Sequence, residues 1–210
     1  LLVTGFYENF ESKAKITFMR ADSAKVSLSL QQLNEIQILK TTIRKITQGE
    51  HPPFKVSDCE KSLFSELLLE EIGTSGCLAL SNSNETPYKI QLEQTSLFKC
   101  MNEGSGGAIA VRGSLNFSIV DSLIESSVSL KKGGALSLRI LKTVIPGEIR
   151  ILNSQFKLNQ AEWSGPAISI LTNDEGLLSQ FMKLSSPDEK SNIFENNTIK
   201  EQGNNFHSST

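Results

Sequence analysis

The sequence predicts an all-β solenoid of about six or seven irregular coils, and two periodic observations carry that reading. A small-residue corner followed by alternating bulky and small residues recurs four times, and a second set of apolar positions keeps a constant distance from those corners. A third observation concerns extent. No Pro-, Gly- or Ser-rich linker divides the 210 residues, so residues 1–210 read as one domain.

The corner segments are Ser75-Gly-Cys-Leu-Ala-Leu80, Gly106-Gly-Ala-Ile-Ala-Val111, Gly133-Gly-Ala-Leu-Ser-Leu138 and Gly165-Pro-Ala-Ile-Ser-Ile170. Their first positions lie 31, 27 and 32 residues apart. Leu78, Ile109, Leu136 and Ile168 fill one bulky column, and Leu80, Val111, Leu138 and Ile170 a second. Between them stand Ala79, Ala110, Ser137 and Ser169. Period-two alternation of this kind belongs to a half-buried strand with the bulky set inward. The expected structural corners are Gly76, Gly106, Gly107, Gly133, Gly134, Gly165 and Gly203, where the backbone must turn sharply or a side chain would clash.

Nine residues before the later corners stand Leu97, Ile124 and Phe156. Seven and five residues before those stand Ile90 and Leu92, Phe117 and Ile119, Ile149 and Ile151. The pattern extrapolates from Phe194 to a corner at Gly203. It fails at Pro187 and Glu189, where Met182 and Leu184 would serve with an insertion between. A β-sandwich also alternates and turns on glycine, but it does not repeat one residue class at one offset. Stacked coils do, because every strand pairs in parallel with its equivalent one coil on, roughly 4.8 Å away.

Residues 75–205 carry the clear repeats and residues 1–74 are expected to be degenerate coils of the same stack. Phe6-Tyr-Glu-Asn9 and Phe18 echo the later spacing, and Ile36, Ile38 and Ile43 reproduce the apolar offsets. Nine residues after Ile43, Pro52 beside Pro53 suggests a further corner, whereas Lys25-Val-Ser-Leu-Ser-Leu30 has no glycine before it. In Ser62–Ile72 the apolar positions 63, 64, 67, 68 and 72 fit a helix capped by Ser62 as well as a strand with a buried leucine run.

Net charge is −2 with 21% charged residues, which supplies no basic face for nucleic acid. No apolar run is long enough to span a membrane. Leu1 begins no signal-peptide pattern, so the chain reads as a mature or excised piece of something longer. Cys59, Cys77 and Cys100 lack CxxC spacing and stand far from His51 and His207, which argues against zinc. They allow one bridge, with the choice of partners open. Three Asn-x-Ser/Thr sequons, at Asn84, Asn116 and Asn196, permit N-glycosylation and an extracellular address.

Gly-Gly-Ala-Ile/Leu at 106–109 and 133–136, together with Phe156-Lys-Leu-Asn159 and Phe194-Glu-Asn-Asn197, resembles the paired motifs of polymorphic-membrane-protein repeats. Such repeats occur in chlamydial autotransporter adhesins and in large ciliate surface proteins. The resemblance covers roughly residues 75–205 and implies a right-handed parallel β-helix of the pectin-lyase-like class at a cell surface. Two coils depart from the motif, at Leu97-Phe-Lys-Cys100 and Ile124-Glu-Ser-Ser127.

Polysaccharide-processing β-helices set the enzymatic alternative. Calcium-dependent lyases need clustered acidic ligands and an Arg or Lys base. The hydrolases need several placed Asp and Asn-Thr-Asp, Gly-His-Gly and Arg-Ile-Lys motifs. Arg139-Ile-Leu-Lys142 is not that last motif, and Asp121, Asp174 and Asp188 occupy different columns. Glu125 is expected to point outward alone, without the second carboxylate a glycosidase pair requires. The expectation is therefore no enzyme, no cofactor and no metal.

Other features read two ways. Lys131-Lys132 suits a sulfated glycan or a solvated corner, and Trp163 suits a sugar or protein contact or a cap on the core. Asn159 and Asn197, with Asn102 nearby, suggest a stacked ladder bonding the turns. Gly104-Ser-Gly-Gly107 has no following Gly-Lys-Ser/Thr and is no phosphate loop. The functional expectation is an extracellular structural or adhesive rod, or a surface-filament component, displaying loops. Its expected partners are further coils or subunits stacked end to end, and host or matrix glycans or proteins. The alternative is a carbohydrate-binding or polysaccharide-processing β-helix whose site lies partly outside this segment.

Overall fold

The structure, a computed structural model, describes residues 2–4, 13–17, 20–22, 27–46, 51–73, 75–84, 86–140, 148–172, 175–176, 179 and 192–200. It is all-β, and its sheets are parallel. Sheet A comprises β1 (Leu2–Thr4), β4 (Leu28–Gln31), β7 (Phe54–Ser57), β10 (Leu78–Asn82), β13 (Ile109–Gly113), β17 (Leu136–Ile140) and β21 (Ile168–Thr172). Sheet B comprises β2 (Lys13–Thr17), β5 (Glu35–Leu39), β8 (Lys61–Ser65), β11 (Tyr88–Glu93), β14 (Leu115–Val120) and β18 (Ile149–Leu152). Sheet C begins with β3 (Arg20–Asp22), β6 (Thr42–Ile46), β9 (Leu68–Ile72) and β12 (Ser96–Asn102). It then divides into β15 (Leu123–Glu125), β19 (Gln155–Lys157) and β22 (Ile193–Glu195) on one arm. The other arm holds β16 (Val128–Ser129), β20 (Gln160–Ala161) and β23 (Thr198–Ile199). The chain visits A, B and C in rotation, and each strand pairs in parallel with its counterpart one pass later.

The pairings reproduce the sequence columns. Leu78 pairs with Ile109, Ile109 with Leu136 and Leu136 with Ile168. Ile90, Phe117 and Ile149 are joined in sheet B, and Leu97, Ile124, Phe156 and Phe194 in sheet C. Inward members of all three sheets form one buried cluster that includes Phe54, Phe64, Phe117 and Phe156. Ile168 and Ile170, in the last sheet A strand, are only partly buried against it. The segment at 27–73, expected to be degenerate, keeps the same register: Leu28 pairs with Phe54 and Phe54 with Leu78.

Ser62–Ile72 is not helical but lies in β8 and β9, because the buried set is Ser62, Phe64, Leu67, Leu69 and Ile72, with Leu63 and Leu68 only half-buried. The left-handed residue of the first glycine corner is Gly76 (φ 76°), two before Leu78. In later passes it is Gly106, Gly133 and Gly165, each three before the paired residue. Gly107 and Gly134 are not left-handed; a Cβ on Gly107 would lie 2.0 Å from the carbonyl oxygen of Gly134, so close approach excludes a side chain. Pro52, buried, stands two before Phe54 as Gly76 does before Leu78, in keeping with a corner there. Phe6, Asn9, Phe18, Met182, Leu184, Pro187, Glu189 and Gly203 lie outside the described residues.

The other corners turn mostly without glycine; Gly113 (φ 94°), in the column of Gln32 and Asp58, is an exception. Among the described residues thirteen non-glycine residues have positive φ, and register sorts them into three columns. Gln32 and Asp58 follow sheet A. Lys40, Glu66, Gln94, Asp121 and Asn153 follow sheet B. Lys45, Glu71, Lys99, Ser126, Leu158 and Asn196 sit within sheet C, where the last three separate its two arms.

Candidate functional site

From sheet B to sheet C the distance is seven residues in each pass, as from Ser62 to Leu69 and from Ile90 to Leu97, and the length differences fall at the other two edges: from sheet B on to sheet A it is 18 residues from Ile36 to Phe54 and 16 from Ser62 to Leu78. From Ile90, Phe117 and Ile149 in sheet B to Ile109, Leu136 and Ile168 in sheet A is 19 residues each time. From sheet A to sheet B the distance varies: 12 from Leu78 to Ile90, eight from Ile109 to Phe117, 13 from Leu136 to Ile149. Chain of variable length therefore leaves the stack at the A-to-B edge and, in the earlier passes, at the C-to-A edge, where Ile43 to Phe54 is 11 residues, Leu69 to Leu78 nine and Leu97 to Ile109 12.

The connection from Leu78 to Ile90 is pinned by Asn82 at the end of β10. Its buried amide donates to the carbonyls of Thr86 (2.8 Å) and Ser114 (2.6 Å), and its Oδ1 accepts from the Asn84 N–H (2.8 Å). Gly113 lets the next pass come close, since a Cβ there would lie 1.8 Å from the Asn82 carbonyl oxygen. Asp58 Oδ1 accepts from the Ser83 N–H (2.6 Å) and hydroxyl (2.8 Å), tying the connection to the pass before. Between these groups lies a groove of about 420 Å³, lined among others by Ser57, Asp58, Ser81 and Arg112. A second groove of about 380 Å³ lies on the outer face of sheet B, where Glu148 pairs with Arg150 at 2.7 Å and its N–H donates to Asn116 Oδ1.

Arg112 and Arg139 are register partners on β13 and β17, and both are exposed. Sequence reasoning missed them, although a signal was present: each stands six residues after its corner glycine, Gly106 or Gly133. Asp58, Asn82 and Ser83 had no repeat to reveal them.

The sequence-predicted residues do not converge on one site. Lys131 and Lys132 are exposed at the C-to-A corner, and the Trp163 N–H donates to the Lys131 carbonyl at 2.8 Å. Trp163 is 57% exposed, which excludes the core-cap reading. Asn84 and Asn196 are exposed, while Asn116 is half-buried on β14. Asn159 and Asn197 form the expected ladder: the Ser127 N–H donates to Asn159 Oδ1 and the Asn159 N–H to Asn197 Oδ1, both at 3.0 Å. Asn102 does not join it; its amide donates to the Ser105 and Gly106 carbonyls and caps its own corner. A second ladder, Thr95–Ser122–Ser154–Asn192, links the B-to-C corners.

Cys77 and Cys100 are disulfide-bonded, and Cys59 is a buried free thiol whose pKa burial pushes up to about 11. Among the described residues no three His, Cys, Asp or Glu side chains converge as a metal site. Asp174 and Asp188 lie outside the described residues. Compared with known proteins, the chain matches no family model, no curated protein and no solved structure.

Proposed function

We propose that this chain is a non-enzymatic extracellular structural and adhesive scaffold, a right-handed parallel β-helix that displays loops from its edges. The observation that carries the reading is the contrast between an invariant register within the three sheets and connections of variable length at the A-to-B and C-to-A edges. A scaffold that presents variable loops needs that division of labour. Right-handed winding follows from the near-universal hand of parallel crossover connections. Seven strands in sheet A correspond to seven coils, a stack about 30 Å long at one strand spacing per coil.

Two further features support the reading. The Cys77–Cys100 disulfide suits an oxidising compartment, and Asn84 offers an exposed sequon on the connection from Leu78 to Ile90. Ile193, Phe194 and Ile199 in the last described pass are 41%, 41% and 50% exposed, and suit further coils or another subunit stacked end to end. The likeness to polymorphic-membrane-protein repeats fits this picture through Phe156 and Phe194, whose rings stack at 5.1 Å, and through the ladder made by Asn159 and Asn197.

The test replaces residues 83–87 by a Gly-Ser connection of equal length and compares adhesion of protein-coated beads to cells and extracellular matrix. Loss of adhesion with an unchanged melting curve supports the scaffold. Release of reducing sugar from a polysaccharide panel, abolished by one Asp or Glu substitution, overturns its non-enzymatic character.

A further inference from the structure

Like charges directly opposite one another on neighbouring strands are destabilising, and sheets ordinarily alternate them. This protein does so elsewhere. Arg44 pairs with Glu70 at 3.1 Å, Lys99 with Glu71 at 3.2 Å and Lys157 with Glu195 at 3.5 Å, each across one strand spacing. Arg112 and Arg139 break the rule. They are register partners roughly 4.8 Å apart by strand spacing. Among the described residues neither makes an ion pair or side-chain hydrogen bond. Their outer neighbours in register are Ser81 and Leu171, so no carboxylate flanks them in the sheet. Lys61 and Lys89 are also register partners, but Lys61 has Glu35 on its other side.

The surroundings are those of a ligand surface. Arg112 opens onto the 420 Å³ groove, where Ser81 and Ser57 present hydroxyls and Ser81 donates to Ser57 at 2.9 Å. The one carboxylate in the groove, Asp58, follows Ser57, the residue two strands from Arg112 in register, and already accepts two hydrogen bonds from Ser83. Beside the arginines the outer face of sheet A is a floor of small side chains, Ala79, Ala110 and Ser137, over which a flat ring can lie.

We infer that Arg112 and Arg139 clamp the oxyanion groups of an acidic glycan lying on the outer face of sheet A. Paired guanidinium groups offer parallel N–H donors matched to carboxylate and sulfate oxygens. Local rule-breaking without compensation marks functional positions. The chain carries a net charge of −2, and among the described residues the exposed Lys55, in register with Ala79, is the one further cation on this face of sheet A. That favours discrete anionic groups on a neutral polar body over a membrane or a nucleic acid, both of which call for a broad basic face. The inference rests on the reading of the A-to-B edge as a display edge, and it names the ligand class there.

The experiment titrates the whole chain with a heparin-type oligosaccharide, its desulfated carboxylate-bearing counterpart and a neutral oligosaccharide of equal length. R112Q/R139Q is compared with K61Q/K89Q, which removes the same charge from sheet B. The acidic oligosaccharides should bind and the neutral one should not, with sulfated against desulfated affinity telling which oxyanion is preferred. Affinity should fall about tenfold for each arginine removed and stay unchanged in K61Q/K89Q. Equal losses in both double variants, no binding by the unaltered chain, or preference for anionic phospholipid vesicles would overturn the assignment. Adhesion that depends on residues 83–87 but survives R112Q/R139Q would leave the scaffold standing and remove only the glycan.

Discussion

The N–H of Ser127 donates to Oδ1 of Asn159, one pass further along the stack, at 3.0 Å. Asn159 is fully buried, and its Nδ2 donates to the Ile124 carbonyl and to Asn197 Oδ1, each also at 3.0 Å. One side chain thus satisfies backbone groups in a corner where the αL residue Ser126 has interrupted the ladder of sheet C. Buried backbone groups without such partners are costly. Asn159→Leu should therefore destabilise the fold by about 2–4 kcal/mol, measured by urea unfolding. Asn102→Leu, at a partly exposed corner, should cost less than half as much. Equal costs would show that the ladder contributes nothing beyond an ordinary turn.

That ladder was legible in the sequence because Phe156-Lys-Leu-Asn159 and Phe194-Glu-Asn-Asn197 repeat both the aromatic and the amide. The inward columns were legible for the same reason: parallel in-register pairing forces like residues into one line, and Leu78, Ile109 and Leu136 are alike. The αL corners were not legible. Lys45, Glu71, Lys99, Ser126, Leu158 and Asn196 share a conformation but no chemistry, so nothing in their side chains announces it. The Cys77–Cys100 pairing was illegible too, because it depends on where one pass closes on itself, 23 residues on, and not on any repeat. Arg112 and Arg139 were legible as a repeat and illegible as a site until their register and lack of partners were known.

Cys59 is 2% exposed, and its thiol faces the carbonyls of Ser57 (3.2 Å) and Leu30 (3.7 Å). Burial raises its pKa from 9.0 to about 11. Below the unfolded value both states hold the proton and no stability is lost. Above it the unfolded chain ionises first, so stability falls as pH rises from about 9 to 11. A loss of about 2–3 kcal/mol is expected across that window. Cys59→Ala should flatten that part of the stability–pH curve, and in the unaltered protein maleimide should label Cys59 only on unfolding. Rapid labelling of the native protein at pH 8 would refute the burial of this thiol.

Leu158 has φ 54° and is 50% exposed, so its side chain gains little from packing while its backbone occupies a region that disfavours a Cβ. Asn196 occupies the equivalent position one pass later, and asparagine tolerates that conformation. Leu158→Gly or Leu158→Asn is expected to raise stability by about 0.5–1 kcal/mol, read as a higher melting temperature. A lower melting temperature for both variants would mean that the Leu158 side chain contributes more than its exposure implies.

Ser62 occupies the sheet B column held by Ile36 one pass earlier and Ile90 one pass later. It is 3% exposed, and its hydroxyl has no hydrogen-bond partner. The same pass carries two large rings, Phe54 and Phe64, whose centroids lie 6.1 Å apart edge to face. A small residue at 62 thus offsets the volume of those two rings within one layer of the core, where packing leaves little slack. That explains why the column shrinks here but not why the small residue is polar. An unsatisfied buried hydroxyl costs about 1–3 kcal/mol. Ser62→Ala keeps the space and removes the hydroxyl, so it should stabilise by roughly 1 kcal/mol. Ser62→Ile matches the neighbouring layers but overfills this one, and should destabilise by about 1–3 kcal/mol. Differential scanning calorimetry of the two variants separates the volume effect from the polar one. Stabilisation by isoleucine would show that the layer has room, and that the rings do not set the size of residue 62.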